Sequence, residues 1–225
     1  MQGKTHRVGG VLCALAGYSI LESKGMLISD VSPLLQLTVM YPFAIYGSIF
    51  SDLDHNPHSI PSKDIVSVGV NRILHITSKL NKDNKSDNIL IQIFDADHRS
   101  WQTHSDLFLI ICIALSVGLI GGGIDSANDI ILKLVATGFI LGVISHLILD
   151  LLTPEGIWFM FGTVVSSLSE HKINPKKIHL VPKSSFFATG GQWEKMVRIT
   201  MWIVSFILFG RIIYFLLPYR FLLSF

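Results

Sequence analysis

His146 and Asp150 stand four residues apart in an otherwise apolar stretch. That spacing puts an imidazole and a carboxylate on one face of a helix. Together they suit Zn²⁺, Mn²⁺ or Fe²⁺; a buried His–Asp hydrogen bond that fixes helix packing fits the pair equally well. Asp52 and Asp54 flank Leu53, and His55 follows. Two carboxylates so placed can share a metal or bridge two, although a solvated turn after an apolar helix is the stronger reading of this group alone. His98 and His104 are six apart with Arg99 between them, which matches no regular helical face, so a loop must bring them together. His6, just before the first apolar run, reads by itself as an interfacial histidine. His58, His75, His171 and His179 have no partner in any pattern and read as surface or packing residues.

These groups need apolar elements to position them, and the composition supplies those. Half of the 225 residues are hydrophobic and 15% are charged, against roughly 25% charged in a typical soluble domain. A disordered chain is excluded and an ordinary soluble enzyme is disfavoured. A net charge of +2 gives no general attraction to nucleic acid, so no nucleic-acid partner is expected. Cys13 and Cys112 lie inside apolar runs and form no CxxC pair; they read as packed or lipid-facing side chains.

Charge-free runs locate four membrane segments: Val31–Ser51; Leu107–Ile124; Leu134–Leu149, which extends from Ile130 to Leu152 with Lys133 snorkelling near its start; and Ile199–Gly210, which continues past Arg211 to Leu217. Each meets or approaches the roughly 20 residues that a span requires. Val8–Leu21 is shorter and reads as a fifth span or an interfacial helix. Gly156–Leu168, behind the Thr153-Pro154-Glu155-Gly156 breaker, reads as a half-helix or re-entrant piece. Lys4 and Arg7 followed by Ala14-Leu15-Ala16 have the outline of a signal peptide. Cleavage there would leave only Val8–Cys13 as its apolar part, so removal is not expected. Residues 52–106 read as a small polar subdomain, with a helix from Ser62 to about Leu80, a polar linker at Asn81–Asn88 and a short apolar element at Asn88–Phe94.

Five spans with the N-terminus inside put fourteen of the eighteen lysines and arginines on the inner side, the expected bias. The same topology places His6, Asp52, Asp54, His98, His104, His146 and Asp150 at one membrane face, although they played no part in fixing it. Six or seven oxygen and nitrogen donors are too many for one tetrahedral zinc. They suit two metals, or one metal backed by further carboxylates.

With these residues assembled, the chain resembles the YdjM-like inner-membrane metal-dependent hydrolases. The resemblance is carried by Thr5-His6, Ser51-Asp52-Leu53-Asp54-His55, His98-Arg99 with Thr103-His104-Ser105, and Gly142-Val143-Ile144-Ser145-His146-Leu147-Ile148-Leu149-Asp150. Thr153-Pro154-Glu155-Gly156, Leu180-Val181-Pro182, Gly191 and Glu194 extend it from residue 5 to about 210. In one place the chain departs from the family. Ser100-Trp101-Gln102 stands where the family commonly has Gly-x, which makes the loop between His98 and His104 bulge differently. The family is thought to be related to zinc phospholipase C and P1 nuclease, helical enzymes that cleave phosphoesters at clustered metals. Phosphoester chemistry is therefore one further step of analogy.

The resemblance implies that His6, Asp52, Asp54, His98, His104, His146 and Asp150 ligate one to three divalent ions, zinc first and manganese or iron next. Asp52 or Asp54 would bridge metals or take the water proton, and Arg99 would hold a phosphate oxygen. The expectation is thus a single all-α domain over residues 1–225. It is a polytopic helical bundle of about five spans plus a half-helix in a bacterial inner membrane, with its site facing the cytoplasm. It would hydrolyse a phosphoester in a lipid or amphiphilic substrate drawn from the bilayer. Two rival readings remain. A metal-ion transporter would place ligands near mid-membrane on several spans. A non-catalytic adaptor would recruit a partner through the basic loop Lys172–Lys183.

Overall fold

The computed structural model describes residues 3–28, 31–54, 68–69, 71–72, 104–121, 127–159, 176–182 and 189–216. Within them, helices form where the charge-free runs lie: α1 (Gly3–Ser23), α2 (Pro33–Phe50), α3 (Asp106–Gly121), α4 (Ala127–Leu151) and α5 (Gln192–Leu216). Local chemistry sets their starts. The Ser32 hydroxyl accepts from the Leu35 amide, and Pro33, which has no amide to satisfy, takes the first helical position of α2. The Ser105 hydroxyl accepts from the Phe108 amide at the head of α3. A single 3₁₀ turn, Ser51–Asp54, follows α2 directly.

Three helices are long and apolar enough to cross a membrane: Pro33–Phe50, Asp129–Leu151 and Gln192–Leu216. The apolar part of α3, Asp106–Gly118, is shorter. The chain is therefore a mostly helical protein with three candidate spans among the described residues. α1 lies against α2, α4 and α5 along its length. Val8 at one end packs with Leu149 and Met201, and Val11, Leu15 and Tyr18 pack with Leu37 and Ile212 towards the other. Eleven of its 21 residues are buried, so its small and polar residues face protein, which explains why its apolar run looks short in the sequence. α5 is the opposite case. Phe206 and Ile207 on it are 69% and 66% exposed, and Trp202, Ile203 and Phe215 also face outward. A patch of that extent is untenable in water and natural against lipid.

α2 and α4 meet most closely, through Gly47, Gly138 and Gly142. A Cβ on Gly142 would lie 2.2 Å from the Ala44 carbonyl oxygen, and one on Gly47 would lie 2.2 Å from that of Phe139. Small residues four apart let backbones approach in this way within membranes. Gly142→Val must push the helices apart, at a cost of about 1–3 kcal/mol or more for overpacking. It is expected to lower the melting temperature in detergent by several degrees or prevent accumulation. Gly118→Ala, with nothing within 4 Å of the new methyl, is expected to leave the melt unchanged.

The expected half-helix at Gly156–Leu168 is corrected at its start. Ile157–Phe159 is a strand, β1, paired antiparallel with β2 (Lys176–Ile178), so the fold is not wholly α. The breaker itself explains this. Thr153 bonds back to the Asp150 carbonyl and ends α4. Gly156 then turns the chain at φ 62°, where a Cβ would lie 2.0 Å from the Ile178 carbonyl oxygen. The chain emerges extended and finds a partner strand. Residues 160–175 of that segment lie outside the described residues, as does most of the 52–106 subdomain, of which 68–69 and 71–72 are helical.

Candidate metal centre

Five of the seven expected ligands converge at one end of the bundle. His6 comes from the first turns of α1, Asp52 from the 3₁₀ turn after α2, His104 from just before α3, and His146 and Asp150 from the last turns of α4. Antiparallel neighbours bring these opposite chain ends together. Asp54 shares the 3₁₀ turn with Asp52, but its side chain, like His98 and Arg99 entirely, lies outside the described residues.

The surroundings of the three histidines are fixed by hydrogen bonds. The His146 Nδ1 is 2.7 Å from the Ser48 carbonyl oxygen. A carbonyl only accepts, so Nδ1 carries the proton and donates. In the neutral ring this leaves the Nε2 lone pair facing the cluster, the tautomer fixing common behind metal-bound histidines. The His104 carbonyl accepts from the Trp158 amide at 2.9 Å, and Ser105 bridges to Trp158, so β1 braces the loop that carries His104. Next to His6, Thr5 Oγ1 donates to the buried Glu194 carboxylate of α5. The other oxygen of Glu194 accepts from the Gly190 amide at 2.6 Å. Glu194 therefore ties α5 to α1 beside His6. In the sequence it stands out only through the family resemblance, and the Ser48 carbonyl carries no side-chain signal at all.

The inner geometry is tight. His146 Nε2 is 3.2 Å from Asp150 Oδ2 and 3.8 Å from Asp52 Oδ1. His104 Nε2 is 3.5 Å from both carboxylates, and His6 Nε2 is 3.5 Å from Asp150 Oδ1. Donors bound to one ion at about 2.0–2.2 Å stand roughly 3–3.6 Å apart, so these spacings suit a shared cation. Two overlapping triads, His6–Asp52–His146 and His104–His146–Asp150, each hold three donor atoms within 4.8 Å of one another. The His6 and His146 rings stack at 3.9 Å. Two imidazolium ions would repel there, whereas neutral rings can offer lone pairs.

Both ring nitrogens of His6 and the Nε2 of His146 are buried without a hydrogen-bond partner among the described residues. Burying such atoms unpaired costs about 1–3 kcal/mol each, and a cation between them and the carboxylates removes that cost. The residues thus fit a divalent ion.

His179, read as a packing residue, lies outside the cluster; its Nδ1 is 2.9 Å from the Val181 carbonyl oxygen. Cys13 and Cys112 are free thiols, as the apolar runs around them led one to expect.

A family model described as YdjM inner membrane protein matches residues 1–217. No curated protein and no solved structure matches the chain. With nearly its whole length matched, the chain belongs to the YdjM inner membrane protein family.

Proposed function

We propose that this YdjM-family protein is a membrane-bound metal-dependent hydrolase acting on a phosphoester in a lipid or amphiphilic substrate. One observation carries the reading: three histidines and two aspartates from four separate segments meet, buried, at one end of an apolar bundle, with imidazole lone pairs turned inward. Ionisable groups so placed are expensive, and that cost is ordinarily met by a role. The mixed nitrogen and oxygen donor set supports zinc, with manganese or iron as alternatives.

In this reading His6, His104, His146 and Asp150 hold the ion. The two triads share the single free nitrogen of His146, which supports one ion among the described donors; Asp54 and His98 would serve a second. A divalent ion held there would supply Lewis acidity, lowering the pKa of a bound water to about 7 and polarising a phosphoryl oxygen. Asp52 receives the water proton. Its side chain is 12% exposed against 1% for Asp150, so it stands on the open side of the cluster. Arg99 neutralises a phosphate oxygen, a task for which a planar guanidinium is well matched. Five helices crossing the bilayer, with the cluster at the cytoplasmic face, agree with the distribution of lysine and arginine.

The test is release of the leaving alcohol from a soluble chromogenic diester and monoester, and of headgroup or phosphate from mixed phospholipid micelles, by detergent-purified protein. The expected result is turnover that a chelator abolishes and zinc or manganese restores. Folded, metal-loaded protein that turns over none of the three would overturn the assignment.

A further inference from the structure

A cavity of about 390 Å³ lies between α2 and α5, floored by Val11 and Leu15 of α1. We propose that it is the binding groove for one hydrocarbon chain of a membrane lipid, whose polar head lies at the metal cluster. The identity of that head rests on the hydrolase reading; the groove itself does not.

Three observations select this occupant. First, both walls are helices of membrane-spanning length and composition. The medium at the groove is then hydrocarbon, which a water-soluble ligand does not enter. Second, the groove runs along the bundle away from the cluster. Tyr41 lies seven residues from Ser48, whose carbonyl holds His146, and Trp202 lies eight from Glu194 beside Thr5. At 1.5 Å per residue the near end is about 10–12 Å from the site and the far end, at Leu34 and Phe209, about 21–23 Å.

Third, at roughly 30 Å³ per water-sized group the volume holds about a dozen methylenes in line. A helix from a second copy, some 10 Å across, is far too large for it.

The experiment reconstitutes the full chain in phosphatidylethanolamine–phosphatidylglycerol vesicles containing a trace of phosphatidylglycerol with a diazirine in one acyl chain. After photolysis, labelled residues are mapped by mass spectrometry. Labelling is expected to concentrate on Leu34–Tyr41 and Trp202–Phe209, several-fold above the outward residues Ile199 and Tyr214 of α5. Thr38→Phe and Ser205→Phe fill the groove from opposite walls, and each is expected to cut groove labelling several-fold. Thr38 is exposed, so at least that variant keeps the packed core intact. Both should retain wild-type metal content.

Labelling spread evenly over the outer face of α5 and indifferent to both variants means ordinary annular lipid only, and overturns the groove. Absence of labelling from the groove walls does the same. Groove labelling in a protein that binds no metal would keep the groove and sink the hydrolase reading, so the two fail separately.

Discussion

His146→Ala should strip the metal from the protein. His146 belongs to both donor triads, its imidazole is pinned by the Ser48 carbonyl, and its Nε2 is the atom closest to Asp150. Alanine therefore removes a ligand and leaves two buried carboxylates facing each other across a hole. Loss of a residue that merely orients a ligand typically costs 10–100-fold in metal affinity, so loss of this donor should cost about 100-fold or more. Asp150→Ala should act alike, by removing the anion that balances the ion's charge. In detergent-purified protein, elemental mass spectrometry should find near-stoichiometric metal in wild type, a trace in either variant, and wild-type content in His179→Ala. Chelation should also lower the melting temperature of wild type and leave the His146→Ala melt unchanged, because only a protein that binds the ion is stabilised by it. If folded wild type holds no metal even after reloading, His146 and Asp150 are a helix-packing pair and the hydrolase reading falls.

The sequence was legible where one helix face or one charge-free run decided the outcome. α2, α3 and α4 fall within a few residues of the runs that announced them, because lipid-facing and buried positions are alike apolar. α5 begins at Gln192, seven residues ahead of its apolar run. Its first turns carry Glu194, Lys195 and Arg198, which break the hydropathy pattern but not the helix. α1 extends the short run Val8–Leu21 at both ends for a similar reason: at its start Thr5 and His6 are polar yet buried, one tied to Glu194 and the other in the cluster.

The convergence of the cluster was legible because histidine and aspartate stand out in apolar runs and alternating helices return them to one end. Its supports were not. The Ser48 carbonyl is backbone, the Trp158 amide acts only once β1 forms, and the Gly47–Gly142 approach depends on which helices are neighbours. The misread start of the Gly156–Leu168 segment has the same origin, since whether Ile157–Phe159 is helix or strand is decided by a distant partner, Lys176–Ile178. Partner choice is the information that local periodicity lacks.

The difference in exposure between the two carboxylates separates binding from turnover, and Asp52→Asn should reveal it. Asp150 is fully buried against His6, His104 and His146; Asp52, the more exposed of the two, lies nearest His104 and His146. Asparagine preserves the size of Asp52 and one oxygen donor, so the three histidines and Asp150 should still hold most of the metal. It cannot accept the water proton, however, and its amide would present a donor where a carboxylate stood. A general base contributes roughly 10²–10⁴-fold to a rate, so kcat for phosphoester cleavage should fall within that range while metal content stays within about twofold of wild type. Asp150→Asn should show the reverse order, with metal lost first and activity only as a consequence. A transport site predicts no such division, because either change would weaken ion binding and nothing would be turned over. Equal loss of metal in the two variants would make Asp52 a ligand alone and move the proton acceptor to Asp54.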